Sequence, residues 1–182
     1  MKSKMPKRLK RNTIYESEWI ALYADRVRMP DGSIIDPYHK LHYPHESVSI
    51  VIYNEKGETL LIQSKRYVTE SLEWEVPAGR VEADEKPESA ARRECQEETG
   101  CTIKDLTYLC FHNPSNGMSD QKVHIFAAKV DAEGKTFDEN EVNCRRWFRK
   151  DEVEVMLKCN KIHCGISILA LLYAERFYQN CI

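Results

Sequence analysis

Between Trp74 and Cys101 the chain reads WEVPAGRVEADEKPESAARRECQEETGC, a stretch crowded with carboxylates and punctuated by Gly79 and Gly100. Like charges three or four residues apart on a helix repel, so a helix built for stability alone would intersperse more lysine. Pro87 is tolerated in a first helical turn and Gly100 is a good stop, so residues 87–100 read as a helix. Glu94, Glu97 and Glu98 then share one side. Ala90, Ala91 and Cys95 share another, where small side chains allow close packing. Three carboxylates after a glycine turn suit a hard divalent cation, because Mg²⁺ takes oxygen ligands and shares them with substrate phosphates. Arg93, one turn before Glu97, can hold that carboxylate in place. A solvated acidic helix face would carry the same charges, and charge alone does not separate the two readings.

The elements that must position this helix are legible in outline. From Ile14 to Ile35 the pattern alternates around MPDG, which reads as two strands and a turn. SVSIVIY (residues 47–53) and TLLIQSK (59–65) flank NEKG as a second hairpin. KVHIFAAKV (122–130) and CRRWF (144–148) read as strands, and GISILALLYAERFY (165–178) as an apolar helix that closes the core. Strands and helices mix without a regular βαβ alternation, so the fold class is α+β.

Composition bounds the function. At 182 residues, 42% apolar and 31% charged, the chain is one domain with an appended arm, large enough for a core without staples. The net charge of −2 hides an asymmetry: six Lys or Arg precede Asn12, and the rest holds 21 basic against 29 acidic residues. The basic segment, residues 1–12, reads as a disordered, solvated tail. The acidic body argues against nucleic acid as a partner. No apolar run approaches a membrane span, and the N-terminus lacks the apolar stretch of a signal peptide. Seven cysteines with no CxxC pair fit a reducing compartment, so a cytoplasmic protein is expected. Cys159, His163 and Cys164 form a loose cluster without the spacing of a metal site.

The spacing of the acidic stretch is specific. Gly79, five residues, Glu85, seven residues, then Arg93-Glu94-Cys95-Gln96-Glu97-Glu98-Thr99-Gly100-Cys101 resembles the Nudix box. Cysteine stands at both positions where that motif has a bulky aliphatic residue. The resemblance implies an α/β/α sandwich around a mixed sheet, and metal-dependent hydrolysis of a nucleoside diphosphate linked to another group. Carried over position by position, it implies Glu94 and Glu98 as the main metal ligands, with Glu97 and the carbonyl of Ala78 close by. Glu85 and Arg93 become supporting residues, and Mg²⁺ the expected ion, with Mn²⁺ as an alternative.

Other stretches resemble the ADP-ribose and nucleoside-diphosphate-sugar pyrophosphatases within that family. LEWEVPAGRVE, which includes Glu75, is similar to their segment before the box. Arg66 sits where they carry an arginine for the substrate diphosphate, and a planar bidentate donor suits that anion. The loop NPSNGMSDQ keeps Pro114 and the pair Ser119-Asp120, in a different order of residues around them. FDENEV resembles their acidic loop, which makes Glu139 and Glu141 the candidates for a general base and Glu141 a further metal ligand. The arm over residues 13–44 resembles one that crosses to a second subunit, where aromatic residues sandwich the base; Trp19 and Tyr38 are the candidates here. The resemblance therefore implies an enzyme, a homodimer, and a hydrolase domain over residues 45–182. A Nudix hydrolase of (d)NTPs or dinucleoside polyphosphates, and a non-catalytic nucleotide-sugar sensor, are the alternatives.

Overall fold

In the computed structural model, which describes residues 5–178, the basic segment KRLKRNTIYE is a strand, β1 (Lys7–Glu16). This corrects the expectation of a disordered tail as far as residue 12; residues 1–4 of that tail lie outside the described residues. The physical reason is a partner that local composition does not reveal. β1 pairs antiparallel with β2 (Ala21–Arg28), and Arg11 Nε and Nη2 donate to both oxygens of Asp25 at 2.8 and 2.7 Å. The Arg11 guanidinium also lies 3.8 Å above the Tyr23 ring. Cationic side chains are at home on an edge strand, where they discourage pairing with other chains. β3 (Ile34–His42) completes a three-stranded antiparallel sheet in the order β1-β2-β3. Residues 113–122 belong to the same compact unit, and Leu41 N–H donates to the Met118 carbonyl at 2.9 Å.

The second unit comprises residues 47–112 and those from 123 onward. Its strands are β4 (Ser47–Tyr53), β5 (Thr59–Arg66), β6 (Ser71–Glu75), β7 (Ala78–Arg80), β8 (Cys101–His112), β9 (Val123–Glu133) and β10 (Val142–Phe148). Its helices are α1 (Pro87–Thr99), α2 (Lys150–Lys158) and α3 (Gly165–Phe177). The strands form one mixed sheet in the order β10-β5-β4-β9-β8, with β6 paired to β5 and β7 to β4. β4 lies at its centre and pairs in parallel with β9. A strand covered on both faces reads as a continuous apolar run, and SVSIVIY is one. Its alternate side chains enter two cores. Val48, Ile50 and Ile52 pack with Ala90, Ala91 and Cys95 of α1. Val51 and Tyr53 pack with Ala170, Leu171 and Ala174 of α3 and Val153 of α2. The expected sandwich thus follows from the two-residue period of one strand. Among the described residues no helix is long and apolar enough to cross a membrane.

Four elements besides β1 were not expected from the sequence. β6 and β7 are five and three residues long, too short to show a period. β8 is interrupted by Asp105 at φ 52° and by three register shifts against β9, which break its alternation. α2, KDEVEVMLK, carries a strand-like VEV; its start is fixed instead by Glu152, which accepts from the Arg149 N–H at 2.9 Å.

Candidate active site

Helix α1 is fixed at both ends, and so are its carboxylates. Pro87 opens it, and Gly100 closes it in the left-handed conformation at φ 69°, with its N–H on the Gln96 carbonyl at 2.8 Å. A side chain at Gly100 would strike the Thr136 carbonyl. The Arg145 guanidinium donates to the Thr99 carbonyl, one of those the helix end leaves unpaired. Ala90, Ala91 and Cys95 are fully buried, and Glu98 is buried on the same helix where it meets β7. There Glu98, only 4% exposed, accepts from the Ala78 N–H at 2.8 Å. Gly79 makes room for Glu94, since a Cβ at that position would fall on the Glu94 carboxylate.

Burial pushes the Glu98 carboxyl up to about 8, against the Ala78 hydrogen bond, and the charges of Glu94 and Glu141 push the same way. Burial also raises Glu94; Arg93 opposes it, while Glu97 and Glu141 add to it. Glu97 is different. It faces solvent with a side chain 53% exposed, so the expected three-carboxylate face is a buried pair with a third group at its rim.

Arg93 holds this arrangement. Its Nε and Nη2 donate to Glu85 at 3.2 and 2.9 Å, and Nη2 also reaches the Arg80 carbonyl at 2.7 Å. Nη1 donates to Glu94 at 2.7 Å and to Glu97 at 2.9 Å. A rigid fork of five N–H groups can serve four partners at once, which a lysine cannot. The hydrogen bonds to Glu85 lead the causes that raise the Arg93 pKa, with burial opposing and Glu94 and Glu97 adding.

Arg66, at the end of β5, donates to both oxygens of Glu75 at 2.8 and 2.5 Å. Glu75 is buried and Arg66 half-buried, so the carboxylate braces the guanidinium. The bond to Glu75 leads the causes that raise the Arg66 pKa, with burial opposing and the charges of Glu75 and Glu98 adding to it. Arg66, Glu75 and Glu141 line a cavity of about 550 Å³. The carbonyl of Glu141 accepts from the Lys65 N–H at 2.7 Å, which pins the acidic loop to β5. The Glu139 carbonyl accepts from Lys65 Nζ at 2.6 Å, and its side chain is exposed. Glu141 lines the cavity with Arg66, and its charge helps raise both Glu94 and Glu98.

Among the described residues no three His, Cys, Asp or Glu side chains form a ready metal cage. The donor set nonetheless suits a hard divalent ion. Mg²⁺ keeps several waters and needs one or two carboxylates plus substrate phosphates, and Glu94 and Glu98 repel one another in a way a cation relieves.

The remaining expected residues lie in the first unit. Trp19, between β1 and β2, is 61% exposed. Tyr38 donates its hydroxyl to the Gly117 carbonyl at 2.9 Å, and the Ser119 N–H reaches the Ser115 carbonyl at 2.8 Å. Asp120 is engaged by Lys40 at 2.6 Å, His42 at 2.8 Å and the Tyr43 N–H at 3.0 Å, so its carboxylate ties the loop to the sheet. In the second unit, His163 donates or accepts at Nδ1 with Glu73 at 2.7 Å, not with the cysteines near it in sequence. Sequence reading missed the Glu73 partnership, as it missed Lys40 and His42. Each joins residues more than seventy positions apart, and no local spacing signals it.

Known proteins give the same picture. Residues 43–163 match the NUDIX domain, and residues 6–41 match the nucleoside diphosphate sugar hydrolase N-terminal domain. An ADP-ribose pyrophosphatase of Bacillus subtilis is 33% identical over 144 residues, covering 78% of this chain and 77% of that one. A GDP-mannose pyrophosphatase of Yersinia enterocolitica is 27% identical over 178 residues, covering 91% and 93%. The crystal structure of an ADP compounds hydrolase superimposes with a TM-score of 0.87 at 22% identity, over 100% of this chain and 98% of that one, and shares the fold. The domain match takes in the whole carboxylate helix, Arg66 and the acidic loop, and this chain belongs to the Nudix family.

Proposed function

We propose that the protein hydrolyses ADP-ribose or a related nucleoside diphosphate sugar to a nucleoside monophosphate and a sugar phosphate, with Mg²⁺ as its cofactor. The observation that carries this reading is the carboxylate helix, with Glu98 bonded to the Ala78 N–H and Glu94 held by Arg93, together with Arg66, braced by Glu75, on a cavity that Glu141 also lines. The match of the N-terminal unit to a nucleoside diphosphate sugar hydrolase domain, and the named pyrophosphatase relatives, support the substrate class.

Glu94 and Glu98 would hold the cation, with Glu97, Glu141 and the Ala78 carbonyl as the further candidate ligands. When bound, a divalent ion there would supply charge neutralisation on the diphosphate and a lowered pKa for an attacking water. Arg66, oriented by Glu75, steadies the non-bridging phosphate oxygens. Glu141 orients the water or takes its proton. Arg93 keeps Glu94 and the helix in place and touches no substrate. The protein works as a homodimer: Leu9, Ile14, Tyr15, Ile34 and Ile35 are exposed on the first unit, and such apolar surface suits a partner copy. The odd count of seven cysteines without a paired spacing supports a cytoplasmic location.

A panel of ADP-ribose, GDP-mannose, UDP-glucose, diadenosine polyphosphates and NTPs, scored by kcat/KM with Mg²⁺, tests the reading. A sugar nucleotide is expected to lead. A lead for NTPs or dinucleoside polyphosphates would replace it with the rival hydrolase, and no turnover at all would favour a sensor.

A further inference from the structure

The cavity that holds Arg66 and Glu141 has a second wall that the hydrolysis mechanism does not use. On that wall a chain of hydrogen bonds runs from β6 to the loop before α3. The hydroxyls of Thr69 and Ser71 meet at 2.7 Å, and Ser71 Oγ donates to Glu73 Oε1 at 2.8 Å. Glu73 Oε2 meets His163 Nδ1 at 2.7 Å, across ninety positions of sequence. Thr69, Glu73 and His163 line the same cavity of about 550 Å³ as Arg66, Glu75 and Glu141. That volume falls within the usual range for a small-molecule site.

The two carboxylates of β6 have different duties. Glu75 is buried and takes both bonds of the Arg66 fork. Glu73 has each oxygen occupied once, and a carboxylate offers about four acceptor positions, so half its capacity is open. His163 has a side chain 55% exposed, and with Nδ1 on Glu73 its Nε2 is the other hydrogen-bonding atom. The pair has Glu73 at 16% and His163 at 55% side-chain exposure, and both line the cavity. Hydroxyls, a carboxylate and an imidazole together offer both donors and acceptors to hydroxyl groups, and the Glu73 carboxylate disfavours a phosphate at this wall.

We infer that Glu73 and His163 form the wall that recognises the hydroxyls of the sugar-phosphate half of the substrate, and so set which sugar the enzyme accepts. The inference rests on the pyrophosphatase reading for its substrate. With Arg66 on the diphosphate, the group beyond it would lie along the cavity wall that Glu73 and His163 form. A site built to bond a hydroxyl discriminates strongly against an analogue that lacks it, because its polar groups are then left unpaired.

Two measurements test this. In the first, wild type, Glu73→Gln, His163→Ala and His163→Gln are compared on ADP-ribose and on the β-methyl ester of ADP, which keeps the nucleoside and both phosphates but lacks the terminal ribose and its hydroxyls. The ratio of the two kcat/KM values is expected to fall tenfold or more in Glu73→Gln and His163→Ala, through KM on ADP-ribose. His163→Gln, which keeps a donor toward Glu73, is expected to recover part of it. A ratio that does not change, because both substrates lose equally or neither loses, overturns the assignment. In the second, ribose 5-phosphate is titrated into the wild-type protein without metal while the His163 ring signals are followed by NMR. A saturable shift is expected, and its absence overturns the assignment whatever the kinetics give. A protein inert toward every sugar nucleotide whose His163 signal still moves would sink the pyrophosphatase reading and leave the sugar wall standing. An active enzyme with an unchanged ratio would do the reverse.

Discussion

Ala78 and Glu98 stand twenty residues apart, and the Ala78 N–H donates to Glu98 Oε2 at 2.8 Å. This one bond ties the middle of the sheet to the carboxylate helix and leaves the other Glu98 oxygen for a cation. Glu98→Gln keeps an oxygen acceptor for Ala78 and nearly the same volume, so the fold is expected to persist. It removes a charge from a site whose catalysis is mostly electrostatic. We expect kcat at saturating Mg²⁺ to fall by two orders of magnitude or more, about 3 kcal/mol in the barrier. Circular dichroism and a melting curve check the fold. A variant that keeps more than about a tenth of the activity, a barrier change below ~1.4 kcal/mol, would exclude Glu98 as a ligand.

The two acids of the 137–142 loop are separated by the structure where their spacing could not separate them. Glu141 is held to β5 by the Lys65 N–H, and its charge acts on Glu94 and Glu98; the Glu139 side chain is exposed. Glu141→Gln is therefore expected to lower kcat about a hundredfold with little change in KM, because a base or water-orienting group acts mainly in the transition state. Glu139→Gln should stay within about threefold of wild type, a difference too small to represent a lost catalytic group. Equal and small losses in both would move the base elsewhere, with Glu97 the next candidate.

What the sequence made legible depended on range. α1, β4 and the Arg93–Glu97 contact are local, and spacing alone places them within a residue or so. The metal carboxylates were legible because the motif binds loop and helix into one short stretch. β1 was not, because its stability comes from β2 and from Asp25, fourteen residues beyond Arg11, while its own composition reads as solvated. Nor was the exposure of Glu97: it shares a helix flank with Glu94 and Glu98, and only the position of β7 decides which of the three is covered. Glu75 illustrates the same point, since its buried bond to Arg66 needs the β5–β6 pairing.

Asp120 carries a pH signature. Burial pushes its carboxyl up, but hydrogen bonds from Lys40, the Tyr43 N–H and His42 outweigh this and bring it to about 2, below the ordinary 3.8. A group whose folded pKa is depressed stabilises the fold fully above its unfolded value and loses that contribution as pH falls through the folded one. The window here is from about pH 4 down to about pH 2. Asp120→Asn should therefore melt below wild type at pH 5 and above, with the deficit shrinking as pH falls and closing near pH 2. Melting curves of both proteins across that range check it. A deficit that stays constant with pH would mean that the Asp120 charge is not what holds the loop.

Trp19 is the remaining test of the substrate reading, because phosphate and metal contacts leave the nucleobase unexplained. The side chain is 61% exposed at the corner between β1 and β2, where Ser17 Oγ accepts from its N–H at 3.2 Å and fixes the turn. An exposed tryptophan on a fixed turn suits stacking on a planar base, worth roughly 1–3 kcal/mol. In a homodimer formed through the apolar side chains of this unit, that ring would serve a composite site. Trp19→Ala is then expected to raise KM for ADP-ribose about tenfold, the middle of that stacking range, and to leave kcat within a few-fold. Sedimentation velocity reads the oligomer in parallel. A fully active monomer would refute the dimer, and an unchanged KM in a dimeric variant would place the base against another residue, with Tyr38 the first to try.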